Sequence, residues 1–170
     1  MTDDRHQAKR PVSAVLAGPY GHPFHPILVT VPIGAWLASV VFDIGSHLVD
    51  DPGFLARGAQ WLIAIGVLGA LAAATVGFLD LFAIPTGTPA FRTGLVHMSL
   101  NLAVTVAFAL DFWWRVAGTD ADVAVAGGPL ALSIAAVVML AVSGYLGGKL
   151  AYHYGVRVAD ERTQATGFRR

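Results

Sequence analysis

Residues Phe54–Ile84 read FLARGAQWLIAIGVLGALAAATVGFLDLFAI, an apolar run whose only charges are Arg57 near its start and Asp80 near its end. A bilayer hydrocarbon core about 30 Å thick is crossed by roughly 20 apolar helical residues, and this run exceeds that length. Three more stretches qualify on the same measure: Pro26–Leu48, Thr93–Val116 and Pro129–Tyr154. A water-soluble fold of 170 residues has no interior large enough to hide four such blocks. The expectation is therefore an all-α integral membrane protein with four transmembrane helices.

Composition agrees. The chain is 55% hydrophobic and only 13% charged, whereas ordinary globular chains carry about a quarter charged residues. Formal charge is balanced, so no bulk field draws nucleic acid. Cysteine is absent, which excludes disulfides, thiolate metal sites and a cysteine nucleophile. The polar stretch Met1–Gly18 lacks the apolar core of a signal peptide, so the first span is read as its own uncleaved insertion signal.

The breaks between spans are short. Asp50-Asp51-Pro52-Gly53 reads as a turn, Pro85-Thr86-Gly87-Thr88-Pro89 is too rich in proline for helix, and Gly118–Gly128 is a loop of polar and small residues. Short connections make sequential helices antiparallel neighbours, hence an up-down bundle. The organisation expected is an N-terminal tail (1–20), one transmembrane domain (21–156) and a C-terminal tail (157–170).

Orientation is read from Lys and Arg. Arg5, Lys9, Arg10, Arg92, Lys149, Arg157, Arg162, Arg169 and Arg170 fall on the side of both chain ends, against Arg57 and Arg115 opposite. That bias predicts that both ends are cytoplasmic. Within the spans, Gly69, Ala73 and Gly77 recur at four-residue spacing, as do Ser143, Gly147 and Ala151. Such ladders allow close helix approach in lipid, and packing within one chain is favoured over a dimer face. Pro32 should interrupt the first span.

Polar residues kept inside a membrane need a partner or a purpose. They fall into two layers. The inner layer holds His22 and His25 at the start of the first span and Asp80 at the end of the second. Arg92, His97 and Asn101 follow on the third, then Lys149 and His153 at the end of the fourth. Antiparallel threading brings these to one membrane side. The outer layer holds Asp43 and His47, then Asp111 and Arg115, each pair one turn apart. There a structural role is expected: Asp111 with Arg115 as an intrahelical pair, and Asp43 paired with His47 or Arg57.

The strings Gly21-His22-Pro23-Phe24-His25-Pro26-Ile27-Leu28-Val29, Gly77-Phe78-Leu79-Asp80 with Ile84-Pro85, Arg92 to Asn101, and Gly147-Gly148-Lys149-Leu150-Ala151-Tyr152 with Gly155-Val156 occur in this order. Together they resemble the domain-of-unknown-function 2231 family of small bacterial membrane proteins, over about Gly21 to Val158. The resemblance implies four spans and a histidine-proline opening. Some members of the family carry a Rieske-type domain, which implies electron transfer near quinone; this chain has no cysteine for such a centre. Many relatives have an acidic residue after the paired glycines, where this chain has Lys149.

The residues thus point to a redox-associated membrane protein. Its inner histidines His25, His97 and His153 are the candidate ligands of haem b, or His25, Asp80 and His97 those of a transition metal. His22, Arg92, Asn101 and Lys149 are the supporting polar groups. Two alternatives stand beside this reading: an accessory subunit whose polar cluster fixes helix packing, and proton or small-solute transport by an oligomer. No phosphate-binding loop, nucleophile elbow or metalloprotease motif is present in the sequence, so no catalytic residue is assigned. The expected partners are membrane lipids, other membrane redox proteins or further copies of the chain.

Overall fold

A computed structural model of the protein describes residues 2–118 and 122–169. Met1, Arg170 and part of the Gly118–Gly128 loop lie outside the described residues, as does the side chain of Arg5. Helices α1 (Thr2–Lys9) and α2 (Ala14–Ala17) precede the spans. The first span consists of α3 (His25–Leu28) and α4 (Thr30–Ser46), followed by α5 (Gly53–Phe82), α6 (Pro89–Gly118) and α7 (Gly127–Gly148). A π-helical turn, Lys149–His153, extends α7, and α8 (Glu161–Ala165) runs into a short 3-10 turn, Thr166–Phe168. There is no strand among the described residues. Four segments are long and apolar enough to cross a membrane: His25–Ser46, Gly53–Phe82, Pro89–Gly118 and Gly127–His153. This is the all-α fold with four transmembrane helices that the sequence predicts.

Local chemistry explains where the helices start and break. Proline lacks an N–H, so Pro32 leaves the carbonyl one turn earlier, at Leu28, without its helical donor. The first span is interrupted there, between Leu28 and Thr30. Helix α6 starts at Pro89, ahead of the apolar stretch. Thr88 caps it by accepting from the Phe91 N–H at 3.1 Å, and proline suits the first helical position. At the end of the fourth span the Tyr154 N–H bonds to the Lys149 carbonyl at 3.1 Å, the wider spacing of a π turn.

The contacts divide the chain into two units. One comprises Met1–Ile27, Ala73–Ser99 and Ser143–Arg170; the other comprises Leu28–Ala72 and Leu100–Val142. The second unit is built around Trp36, Ile63, Val104, Phe108 and Ala136. Trp36 stacks on Phe108 with ring centroids 4.4 Å apart and planes 10° from parallel, and its indole N–H donates to the Ile63 carbonyl at 3.3 Å. Gly66 leaves the space this indole fills; a Cβ there would overlap the ring. The outward faces carry Leu37, Val41, Ile44, Leu68, Val106, Leu110 and Val138. Only 17–28% of each span is buried against protein, so most of this apolar surface has lipid as its solvent.

Candidate functional site

In the first unit, two imidazoles face each other. The rings of His25 and His97 lie 6.3 Å apart between centroids, with planes at 85°. Each is anchored to a different helix by the same device. His25 Nδ1 lies 2.9 Å from the Ala73 carbonyl on α5, and His97 Nδ1 lies 2.8 Å from the Ser143 carbonyl on α7. A carbonyl oxygen only accepts, so each Nδ1 carries the proton, and in the neutral ring the lone pair resides on Nε2. The Ser143 hydroxyl adds a second contact to His97 Nδ1 at 3.1 Å.

The small-residue ladders are what seat these rings. A Cβ on Gly77 would come within 2.8 Å of His25 Cε1, and one on Gly147 within 3.0 Å of His97 Cε1. Ala73 and Ser143, one step earlier on each ladder, are buried and present the accepting carbonyls. The ladders thus pack against histidines of the same chain.

Asp80 is buried, as its place on the α5 ladder predicts, but its partner is Arg157. The Arg157 Nε lies 2.7 Å from Asp80 Oδ1, and Nη2 donates to the carbonyls of Ala17 and Gly18 at 2.9 and 2.8 Å. The Arg157 amide also donates to the Ala8 carbonyl at 2.9 Å. Its backbone takes φ 60°, a left-handed conformation costing roughly 1–2 kcal/mol outside glycine. The anchored guanidinium holds it there. Sequence reasoning counted Arg157 only as a topology-setting charge. The sign it carried was its position just after Gly155-Val156, where a left-handed turn at Gly155 (φ 70°) redirects the chain.

His153 is exposed, with its ring against Tyr154 at 4.9 Å. Lys149 sits over the same Tyr154 ring at 5.5 Å. His22 and Arg92 are exposed. Asn101 is half-buried on α6, its carbonyl accepting from the Thr105 hydroxyl at 2.8 Å. The sequence expectation is a three-ligand metal site of His25, Asp80 and His97. No three ligating side chains gather into a metal-holding group among the described residues, and the Asp80 carboxylate is taken up by Arg157.

The second unit holds the outer-layer residues in a closed network. Arg115 Nη1 and Nη2 donate to the two Asp43 oxygens at 2.7 and 2.8 Å. Its Nε and Nη2 also bind Asp111, at 3.1–3.2 Å. Ser133 donates to Asp111 Oδ2 at 2.8 Å. Asp43 and Asp111 are fully buried and Arg115 is 5% exposed. The expected Asp111–Arg115 pair is present. Asp43 pairs with Arg115 and not with His47 or Arg57, because the two-pronged guanidinium matches a carboxylate. His47 is exposed at the end of α4, and Arg57 pairs with Asp122.

A family model described as predicted membrane protein (DUF2231) matches residues 21–160. No curated protein and no solved structure matches the chain. The match spans all four candidate spans, the His25–His97 pair and the Asp80–Arg157 pair, and the chain therefore belongs to the DUF2231 family of predicted membrane proteins.

Proposed function

We propose that the protein is a redox-associated membrane protein in which His25 and His97 would hold a haem b. One observation carries this reading: both rings have Nδ1 committed to a backbone carbonyl of a neighbouring helix, 6.3 Å apart and nearly perpendicular. Metal-ligating histidines are held in that way, the carbonyl fixing the tautomer and aiming Nε2. A bound haem would supply one-electron chemistry; the chain's own residues orient the ligands and exclude water. The charge bias of the sequence supports an orientation with both ends cytoplasmic in a bacterial inner membrane. A membrane electron donor or acceptor is then the partner class.

The test is optical. The full chain, expressed with haem supply and purified in mild detergent, should show a Soret band and sharpened α and β bands on dithionite reduction. His25→Ala and His97→Ala should each abolish the low-spin spectrum. A colourless, metal-free preparation overturns the proposal. A second reading rests on the same bonds: each histidine joins two helices, His25 to α5 and His97 to α7, so the pair fixes helix register. On that reading both alanine variants lose thermal stability without any spectral change.

A further inference from the structure

The two chain termini form a structure of their own within the first unit. Lys9 Nζ donates to the Val158 carbonyl at 3.3 Å, the Arg157 amide binds the Ala8 carbonyl, and the Tyr20 hydroxyl accepts from the Asp160 N–H at 2.7 Å. Between these cross-links lies a cavity of about 450 Å³ lined by His6, Lys9, Arg10, Pro11, Tyr20 and Asp160. That volume lies within the usual range for small-molecule sites.

Its walls favour an anion. Lys9 and Arg10 supply an ammonium and a guanidinium, and His6 adds the N–H donor of an imidazole. Lys9 spends one of its three donors on Val158, so two remain. The single carboxylate in the wall is Asp160, and one of its oxygens is occupied by the Thr163 N–H at 2.8 Å, capping α8. Guanidinium and ammonium groups around a concave surface suit the tetrahedral oxygens of phosphate.

The neighbourhood is apolar. Val12, Val15 and Leu16, on and next to α2, are 56%, 84% and 60% exposed. Tyr20 and Asp160 lie only a few residues outside the first and last spans, which begin at His25 and end at His153. Greasy side chains next to a basic hollow at the edge of a membrane domain match a headgroup flanked by its acyl chains. We propose that this cavity binds a phosphate group, and the exposed apolar residues on the segment joining its wall residues Pro11 and Tyr20 favour an anionic phospholipid over the free ion as its source.

Two probes distinguish the sources. The full chain in lipid nanodiscs is compared by native mass spectrometry with phosphatidylglycerol or phosphatidylcholine, and separately titrated with inorganic phosphate by calorimetry in detergent. Wild type should retain phosphatidylglycerol about tenfold over phosphatidylcholine, a preference lost in the Lys9→Gln/Arg10→Gln double variant. Asp160→Asn keeps a capping oxygen while removing the one negative charge, and should strengthen retention. These opposite directions separate binding from misfolding. Equal loss of inorganic phosphate binding in the double variant supports the site and assigns it to a soluble phosphate. The proposal is overturned if neither probe distinguishes wild type from the double variant.

Discussion

Arg115 grips Asp43 with both terminal nitrogens, at 2.7 and 2.8 Å, from 72 residues away along the chain. The same side chain binds Asp111 one turn behind it, and Ser133 on α7 closes the ring. Three helices are thereby pinned by one guanidinium. Packing among lipid-solvated helices is weakly directional, whereas a two-pronged charge pair allows one register.

Removing one partner strands the others. Arg115→Gln leaves two buried carboxylates without a cation and should cost about 3–5 kcal/mol, read as a lower midpoint of thermal unfolding in detergent. The triple change Asp43→Leu/Asp111→Leu/Arg115→Met should recover most of that loss, because apolar replacement of a complete buried charge set is often neutral. Failure of the triple variant to recover would show that the charges do more than hold helices together.

The Trp36 seat makes a second, contrasting pair. A Cβ at Gly66 would overlap the indole, so Gly66→Ala should destabilise by about 1–3 kcal/mol through overpacking. Gly34→Ala meets nothing within 4 Å, and as a helix-interior replacement it should stabilise by up to about 1 kcal/mol. Thermal unfolding of the two variants side by side checks both signs.

At the histidine pair, Gly77→Ala presses a methyl group to 2.8 Å from His25 Cε1 and 2.9 Å from Nδ1. The ring must leave the Ala73 carbonyl, so, on the proposed haem reading, the variant should lower haem occupancy and weaken the low-spin spectrum. Gly147→Ala approaches His97 less closely, at 3.0 Å, and should act in the same direction with smaller amplitude. Gly144→Ala, with open space around it, should leave the spectrum unchanged. Absorption spectroscopy with haem quantification ranks the three.

Acid should loosen the C-terminal helix first. The Thr163 amide, and then its further contacts, hold the Asp160 carboxyl below the usual aspartate range. A group depressed in the folded state contributes stability above its unfolded value and loses it as pH falls through the lower folded value. Amide exchange at Thr163 should therefore rise only below the ordinary aspartate range near pH 4, and Asp160→Ala should remove that dependence.

How far the sequence could be read varies with the physics of each part. Long apolar runs such as Phe54–Ile84 announce a span because length and composition alone decide it. Helical periodicity puts Asp80 on the same face as Gly69, Ala73 and Gly77, and it is buried there. Partners were harder, since periodicity places a side chain on a face and says nothing of what stands opposite. Hence sequence proximity points Asp43 to His47 or Arg57, while its partner, Arg115, stands 72 residues away along the chain. The ladders and the histidines were read as separate features. Only the structure shows that Gly77 and Gly147 are small because imidazoles rest on them. Arg157 was legible as a charge and not as a knot, because its role depends on backbone carbonyls at Ala17 and Gly18 that no residue type reveals.

That knot sets an order on biogenesis. Ala8, Ala17 and Gly18 emerge from the ribosome well before their partner at position 157. Until then the Asp80 carboxylate is without its Arg157 cation, and the leading segment is without its anchor. The knot therefore closes only after all four spans have been made, and a nascent chain stalled after the fourth span should leave the Ala8–Gly18 segment open to proteases and quality-control factors.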